Sequence, residues 1–249
     1  MRDMVDTIQI RTPDGTAEAY LAGSGPGVLF YMDAIGLRPR IAEMVEEIAS
    51  WGYTVLAPNV FYRDGSAADL APTQDLRIPE NRAAFFQGGV MDRVHGLTPD
   101  KAESDAAAWV ATLAEHAADG PIGTSGYCMG ARLALRTAGW HSDRVRAVGG
   151  FHGGGLVTDA PDSPHLSIAA STASYALLHA DKDKGLTPED VAVLEAALIE
   201  SGRPHVNEIV PGAPHGYTMS DTSTWNAEGA RRASVELRAL LDREVRSAG

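Results

Sequence analysis

The chain opens on a period of two. Val5-Asp6-Thr7-Ile8-Gln9-Ile10 and Ala17-Glu18-Ala19-Tyr20-Leu21 alternate polar with apolar residues, and Thr12-Pro13-Asp14-Gly15 between them supplies turn chemistry. An N-terminal β-hairpin is predicted. After Gly25-Pro26-Gly27 the pattern changes to a continuous apolar run, Val28-Leu29-Phe30-Tyr31, as expected of a strand buried on both faces of a parallel sheet. Ile41, Met44, Val45 and Ile48 then recur at helical spacing, with Gly52 placed to end the helix, and Tyr53–Ala57 reads as the next strand, stopped by Pro58. Strand, helix and strand at this spacing form a βαβ unit.

From about 59 to 96 the alternation pauses in a segment rich in Asp, Arg, Pro and Gly. It reads as a cap-like excursion carrying short helices, too short for a core of its own. Thr98-Pro99-Asp100 then opens an Ala-rich helix, with Thr98 expected as its N-cap, that runs to Ala118. Ile122–Tyr127 is a weak strand signal, and a helix is expected around Arg132–Arg136. Val145–Phe151, Tyr175–His179 and His205–Val210 read as further strands. Thr187-Pro188-Glu189-Asp190 is a capping box opening a helix that ends at Ser201-Gly202, and a last helix begins near Asn226. Strands alternating with helices predict an α/β fold: a mostly parallel central sheet with helices on both faces, in one domain spanning 1–249.

Composition narrows the function classes. With 249 residues, 44% of them hydrophobic, the chain can bury a large core without a metal or disulfide. A formal net charge of −12 argues against a nucleic-acid surface, which needs clustered Lys and Arg. One cysteine forms no internal disulfide and fits a reducing compartment. The first fifteen residues contain no apolar run of the signal-peptide type, and no stretch is long enough to span a membrane, so a cytoplasmic protein is expected. Metal-ligand spacing is absent, and Gly153-Gly154-Gly155 lacks the Lys-Ser/Thr pair of a phosphate loop and reads as a flexible turn. No cofactor is expected. Oligomeric state is not legible.

The sharpest chemical signal is Gly126-Tyr127-Cys128-Met129-Gly130 at a strand-to-helix junction. A nucleophile on so sharp a turn takes a strained backbone conformation, and the residues two positions either side must be small. The ordinary reading of a lone cysteine is a buried, inert thiol. Placement argues otherwise. Asp183 follows one later strand and His215 follows the last, giving nucleophile, acid and base in the order this architecture requires. Asp181 competes for the acid role and His152 for the base, but His152 falls between nucleophile and acid and breaks that order. Met129 N–H, at the helix start, and Ala34 N–H, past the first parallel strand, are the candidate oxyanion donors. Asp33 sits next to that donor, either as a neighbour of the nucleophile or as a loop carboxylate. Phe61, Tyr62, Phe85 and Phe86 either line an acyl pocket or pack the excursion down, and Tyr217, two residues past His215, is a candidate substrate contact.

The Gly-Tyr-Cys-Met-Gly run resembles the nucleophile elbow of the dienelactone hydrolase family, cysteine-dependent members of the α/β-hydrolase fold. The similarity takes in the strand end at Asp33, the Trp51-Gly52-Tyr53 and Ala57-Pro58-Asn59 joins, the Asp183 turn and the His215 loop. The resemblance implies a Cys128–His215–Asp183 triad opening an ester or lactone, with Asp33 in the place of an acidic residue, typically Glu, that contacts the resting nucleophile. The best-known members carry an arginine four residues past the histidine to grip a substrate carboxylate. Met219 stands there in this chain, which leaves Arg82 or Arg63 in the excursion as candidates for that contact. A thioesterase or acyltransferase using the same triad, and a catalytically silent binding protein of the same fold, are the alternatives.

Overall fold

A computed structural model describes residues 5–246. Residues 1–4, the beginning of the segment read for a leader, and 247–249 lie outside it. The described chain forms an eight-stranded sheet in the order β1-β2-β4-β3-β5-β6-β7-β8. The strands are β1 (Asp6–Thr12), β2 (Gly15–Ala22), β3 (Gly27–Tyr31), β4 (Thr54–Pro58), β5 (Ile122–Tyr127), β6 (Val145–Phe151), β7 (Ser174–Ala180) and β8 (His205–Val210). The β1/β2 hairpin joins β4 antiparallel, and every pair from β4 to β8 is parallel. This is the mostly parallel α/β sheet expected from the alternation of patterns, in the α/β-hydrolase form that the resemblance implies.

The helices are α1 (Pro39–Ser50), α2 (Ala67–Leu70), α3 (Pro79–Phe85), α4 (Met91–Gly96), α5 (Pro99–His116), α6 (Met129–Trp140), α7 (Ser167–Ala170), α8 (Pro188–Ser201) and α9 (Ala227–Leu241). Their division between two faces can be read from neighbouring glycines of β6. A Cβ on Gly149 would lie 2.7 Å from Leu237 of α9, and one on Gly150 would meet Ala131 and Leu135 of α6. Successive residues of a strand point to opposite faces, so α6 and α9 cover opposite sides of the sheet.

One local reading is revised, the Thr98 cap, and two are sharpened. β5 gave a weak signal because it is built of small residues, and it is nonetheless a fully buried central strand. The smallness has a packing cause: a Cβ on Gly123 would lie 2.4 Å from Leu241 Cδ2. Thr98 precedes α5, but its side chain makes no capping hydrogen bond, whereas Thr187 forms the expected capping box with Asp190 at α8. The helix after Cys128 starts at Met129, directly behind the cysteine, as expected of the candidate oxyanion donor. The excursion carries α2, α3 and α4, with a distorted turn at Phe86–Val90 between the last two. Among the described residues no helix is long and apolar enough to cross a membrane.

Parallel strands all point one way, so the turns after β3, β5, β6, β7 and β8 gather at one edge of the sheet. Chain order reverses between β3 and β5, which places a crevice at that edge beside Cys128.

Candidate active site

The turn at Cys128 exists because two glycines permit it. A Cβ on Gly126 would sit 2.1 Å from the Gly130 carbonyl oxygen, and one on Gly130 would sit 2.5 Å from the carbonyl oxygens of Tyr31 and Met32. Only without those side chains does the start of α6 close onto β5 and β3. Cys128, caught between, adopts φ 55°, ψ −121°, a left-handed conformation that L-residues rarely occupy. Its thiol stands half-buried at the sheet edge.

His215 Nε2 lies 3.1 Å from Cys128 Sγ, and His215 Nδ1 lies 2.6 Å from Asp183 Oδ2. The other carboxylate oxygen, Asp183 Oδ1, accepts the Gly185 N–H at 2.8 Å. Sulfur, imidazole and carboxylate thus stand in series. The competing residues are occupied elsewhere. Asp181 accepts the Gly212 N–H at 2.9 Å, which fastens the loop carrying the histidine. His152 is fully buried, with Nε2 bonded to Thr218 Oγ1 at 2.7 Å and its ring packed edge-on to His215. It supports the base from behind.

Charges along the series reinforce one another. Burial raises the Cys128 thiol, but the charge and hydrogen bond of His215 outweigh it, aided by the Met129 N–H, and the thiol titrates below its ordinary value. Burial opposes protonation of His215; the Cys128 sulfur and the Asp183 carboxylate overcome that and raise it. Asp183 is desolvated, yet the imidazole lowers it. Both shifts run in the direction that favours thiolate and imidazolium side by side.

Asp33 departs from the role implied by resemblance. Its carboxylate is taken up by Arg38, at 2.7 and 3.0 Å, and by the Ile35 N–H at 3.1 Å. It shares a small cavity with Cys128 and raises the thiol from there, but its oxygens are engaged away from the sulfur. Arg38, unremarked in the sequence because nothing in its spacing marks it, is buried and also bonds Asp221 at 2.6 Å and the Gly36 carbonyl at 3.0 Å. It ties the turn holding Ala34 to the loop beyond His215.

The remaining candidates divide. Ala34 and Met129 both line the cavity at the sulfur. Arg82 lines the small cavity that Asp33 shares with Cys128, stacked on Phe86 with its centre 4.8 Å from the ring, and its Nε has no hydrogen-bond partner. Arg63 belongs to another place: it pairs with Asp105 and Asp14 near the hairpin. Tyr217 is fully buried and donates to the Leu178 carbonyl at 3.1 Å, so it is a core residue and does not face the cavity. Of the excursion aromatics, Phe86 lines the cavity, Phe61 is core, and Tyr62 bonds Asp105 at 2.9 Å. Among the described residues no group of His, Cys, Asp or Glu could hold a metal.

A sequence model of the dienelactone hydrolase family matches residues 16–244. The chain belongs to that family. The carboxymethylenebutenolidase of Rhodococcus opacus is 28% identical over 84% of this chain and 79% of its own length. That of a Pseudomonas species is 23% identical, over 89% and 86%. A dienelactone hydrolase-like promiscuous phosphotriesterase from metagenomic libraries superposes with a TM-score of 0.71 at 18% identity, covering 97% of this chain and 99% of that one, a likeness of fold.

Two predictions follow from these contacts. Alkylation of Cys128 by iodoacetamide, followed against pH, should show a midpoint below that of a free thiol. In His215→Ala the midpoint should move up, because burial and Asp33, which both raise the thiol, are then opposed only by the Met129 N–H. Arg38→Ala should cost about 3–5 kcal/mol in urea unfolding, because it strands the buried Asp33 carboxylate without its partner.

Proposed function

We propose that this protein hydrolyses small carboxylic esters or lactones through a covalent thioester on Cys128. The observation that carries this reading is the hydrogen-bonded series Cys128 Sγ, His215 Nε2 and Nδ1, and Asp183 Oδ2, at 3.1 and 2.6 Å. Membership of a hydrolase family supports it.

The thiolate attacks the carbonyl carbon, and the carbonyl π electrons move onto oxygen. Met129 N–H, at the start of α6, and Ala34 N–H, past the end of β3, are assigned to receive that oxyanion. As the tetrahedral adduct collapses, the bond to the leaving oxygen breaks and His215 Nε2 donates its proton to the departing alkoxide. With a lactone that alcohol remains tethered to the acyl group. Neutral His215 then takes a proton from water as it attacks the thioester, and the sulfur leaves as thiolate with the imidazolium restored. Asp183 holds Nδ1 protonated throughout, which fixes the tautomer and keeps Nε2 aimed at the sulfur. All of this is done by side chains and backbone amides of the chain itself.

Kinetics with p-nitrophenyl acetate test the assignment. Wild-type protein should release nitrophenolate with a burst, and Cys128→Ala should lose turnover. His215→Ala should fall by about three orders of magnitude in kcat/KM. His152→Ala should retain more activity than His215→Ala; the reverse order would make His152 the base. Full turnover by Cys128→Ala would remove the thiol from the reaction.

A further inference from the structure

The space around the sulfur has two lobes, which share Ala34, Phe86, Cys128 and His215. The smaller, about 50 Å³, lies toward Asp33, Arg82, Met219 and the threonines Thr222 and Thr224. The larger, about 290 Å³, runs the other way between the excursion and the Gly154–Gly155 loop. Its wall is mostly apolar: Phe86, Met91, Val94 and the two glycines. Besides Cys128 and His215, two side chains do not fit that description, His95 and Arg132, and of these Arg132 carries the guanidinium.

Arg132 stands one helical turn beyond Cys128, on the same face of α6, and side chains on a helix lean toward its N-terminus, here toward the sulfur. A Cβ on Gly155 would be 3.9 Å from Arg132 Cδ and Nη1, so the side chain lies along that loop. Among the described residues Arg132 has neither a hydrogen bond nor an ion pair, although it is half-buried. Arg136 bonds the Asp162 carbonyl and Arg38 holds two aspartates, while Arg82, whose Nε also has no partner, stacks on Phe86 and lines the smaller lobe. Burial lowers the Arg132 guanidinium below its ordinary value, and the charge acting to raise it is that of the Cys128 sulfur. A partly desolvated cation with no fixed partner, five donors and an apolar chamber in front of it is an anion receptor awaiting its ligand.

We propose that Arg132 is a specificity-determining residue that receives a carboxylate carried at the far end of an apolar group, an aromatic ring or short aliphatic chain, seated in the larger lobe. The inference rests on the hydrolase reading for its kinetic consequence, though not for the binding itself. An aryl or short alkyl body fits the Phe86, Met91 and Val94 wall, and a planar carboxylate matches the fork of the guanidinium. The ester carbonyl would then fall at the junction of the two lobes, beside Cys128.

The test compares matched pairs of substrates. 4-Acetoxybenzoate and its methyl ester place or remove the charge on the leaving group; mono-4-nitrophenyl glutarate and 4-nitrophenyl pentanoate do so on the acyl group. For at least one pair, Arg132→Gln should lower the ratio of kcat/KM for the anion to that for its neutral partner by about ten-fold or more. Arg132→Lys should give an intermediate ratio, since it keeps the charge and loses the fork. An unchanged ratio in both pairs, including an equal fall on all four esters as expected if Arg132 only sustains the thiolate, would overturn the proposal. So would a collapse of the ratio in Arg82→Gln with none in Arg132→Gln. Calorimetry on Cys128→Ala protein, with 4-hydroxybenzoate and glutarate as ligands, separates the two readings. Binding there that Arg132→Gln abolishes upholds the anion site even if no ester is turned over, and binding of both ligands indifferent to Arg132 refutes it. Arg132→Met serves as the second variant should the glutamine form fail to fold by circular dichroism.

Discussion

The structure depends on how closely the start of α6 can approach the ends of β3 and β5. Two glycines, Gly126 and Gly130, remove the side chains that would hold these backbones apart, and Cys128 is left in a left-handed conformation between them. From that one close approach come the exposure of the sulfur above the sheet edge, the direction of the Met129 N–H, and the position of Arg132 one turn further on. The strain at Cys128 is sustained by its surroundings: its N–H bonds the Phe151 carbonyl at 3.0 Å, its carbonyl accepts the Ala131 N–H at 3.2 Å, and Tyr31 bonds Thr137 across the same helix at 2.6 Å.

The other half of the site is placed by loops, and loops need their own fastening. Asp181 holds the His215 loop through Gly212, Asp183 is itself held by Gly185, and His152 fills the space behind the imidazole. Arg38 spans the gap between the β3 turn and the segment after His215, joining Asp33 to Asp221. A buried arginine between two carboxylates is a costly way to gain stability, since each charge must first leave water. Its value here is in register: it keeps the Ala34 turn and the histidine loop at a fixed separation on either side of the sulfur.

Much of this was legible in the sequence, for physical reasons that differ by element. The hairpin and the apolar strands were readable because period-two alternation and continuous apolar runs report directly on which faces are buried. The elbow was readable because the steric demand of the turn acts on sequence neighbours. Chain order pointed to His215 over His152 and to the turn holding Asp183, but left Asp181 beside it as an alternative. What escaped the sequence depends on contacts between distant segments. Arg38 went unremarked, because only the fold brings Asp33 and Asp221 to it. Tyr217 looked like a substrate contact because it is two residues from His215, but the turn rotates it into the core. Asp33 was left open between a neighbour of the sulfur, as the resemblance implied, and a loop carboxylate, and it is held by Arg38. Arg132 carried one signal, a lone charge in the apolar stretch Met129–Leu135 four residues past the nucleophile, and that signal meant little until the adjoining chamber was seen.

The central claim is that the sulfur of Cys128 is the atom that takes the acyl group. Mass spectrometry of protein quenched in acid during turnover of p-nitrophenyl acetate tests it directly, because low pH preserves a thioester. The account predicts the mass of one acetyl group on the peptide containing Cys128, appearing with the burst and lost as substrate is exhausted. An acetyl group found on another residue, or steady turnover with Cys128 unmodified at every time point, would contradict it.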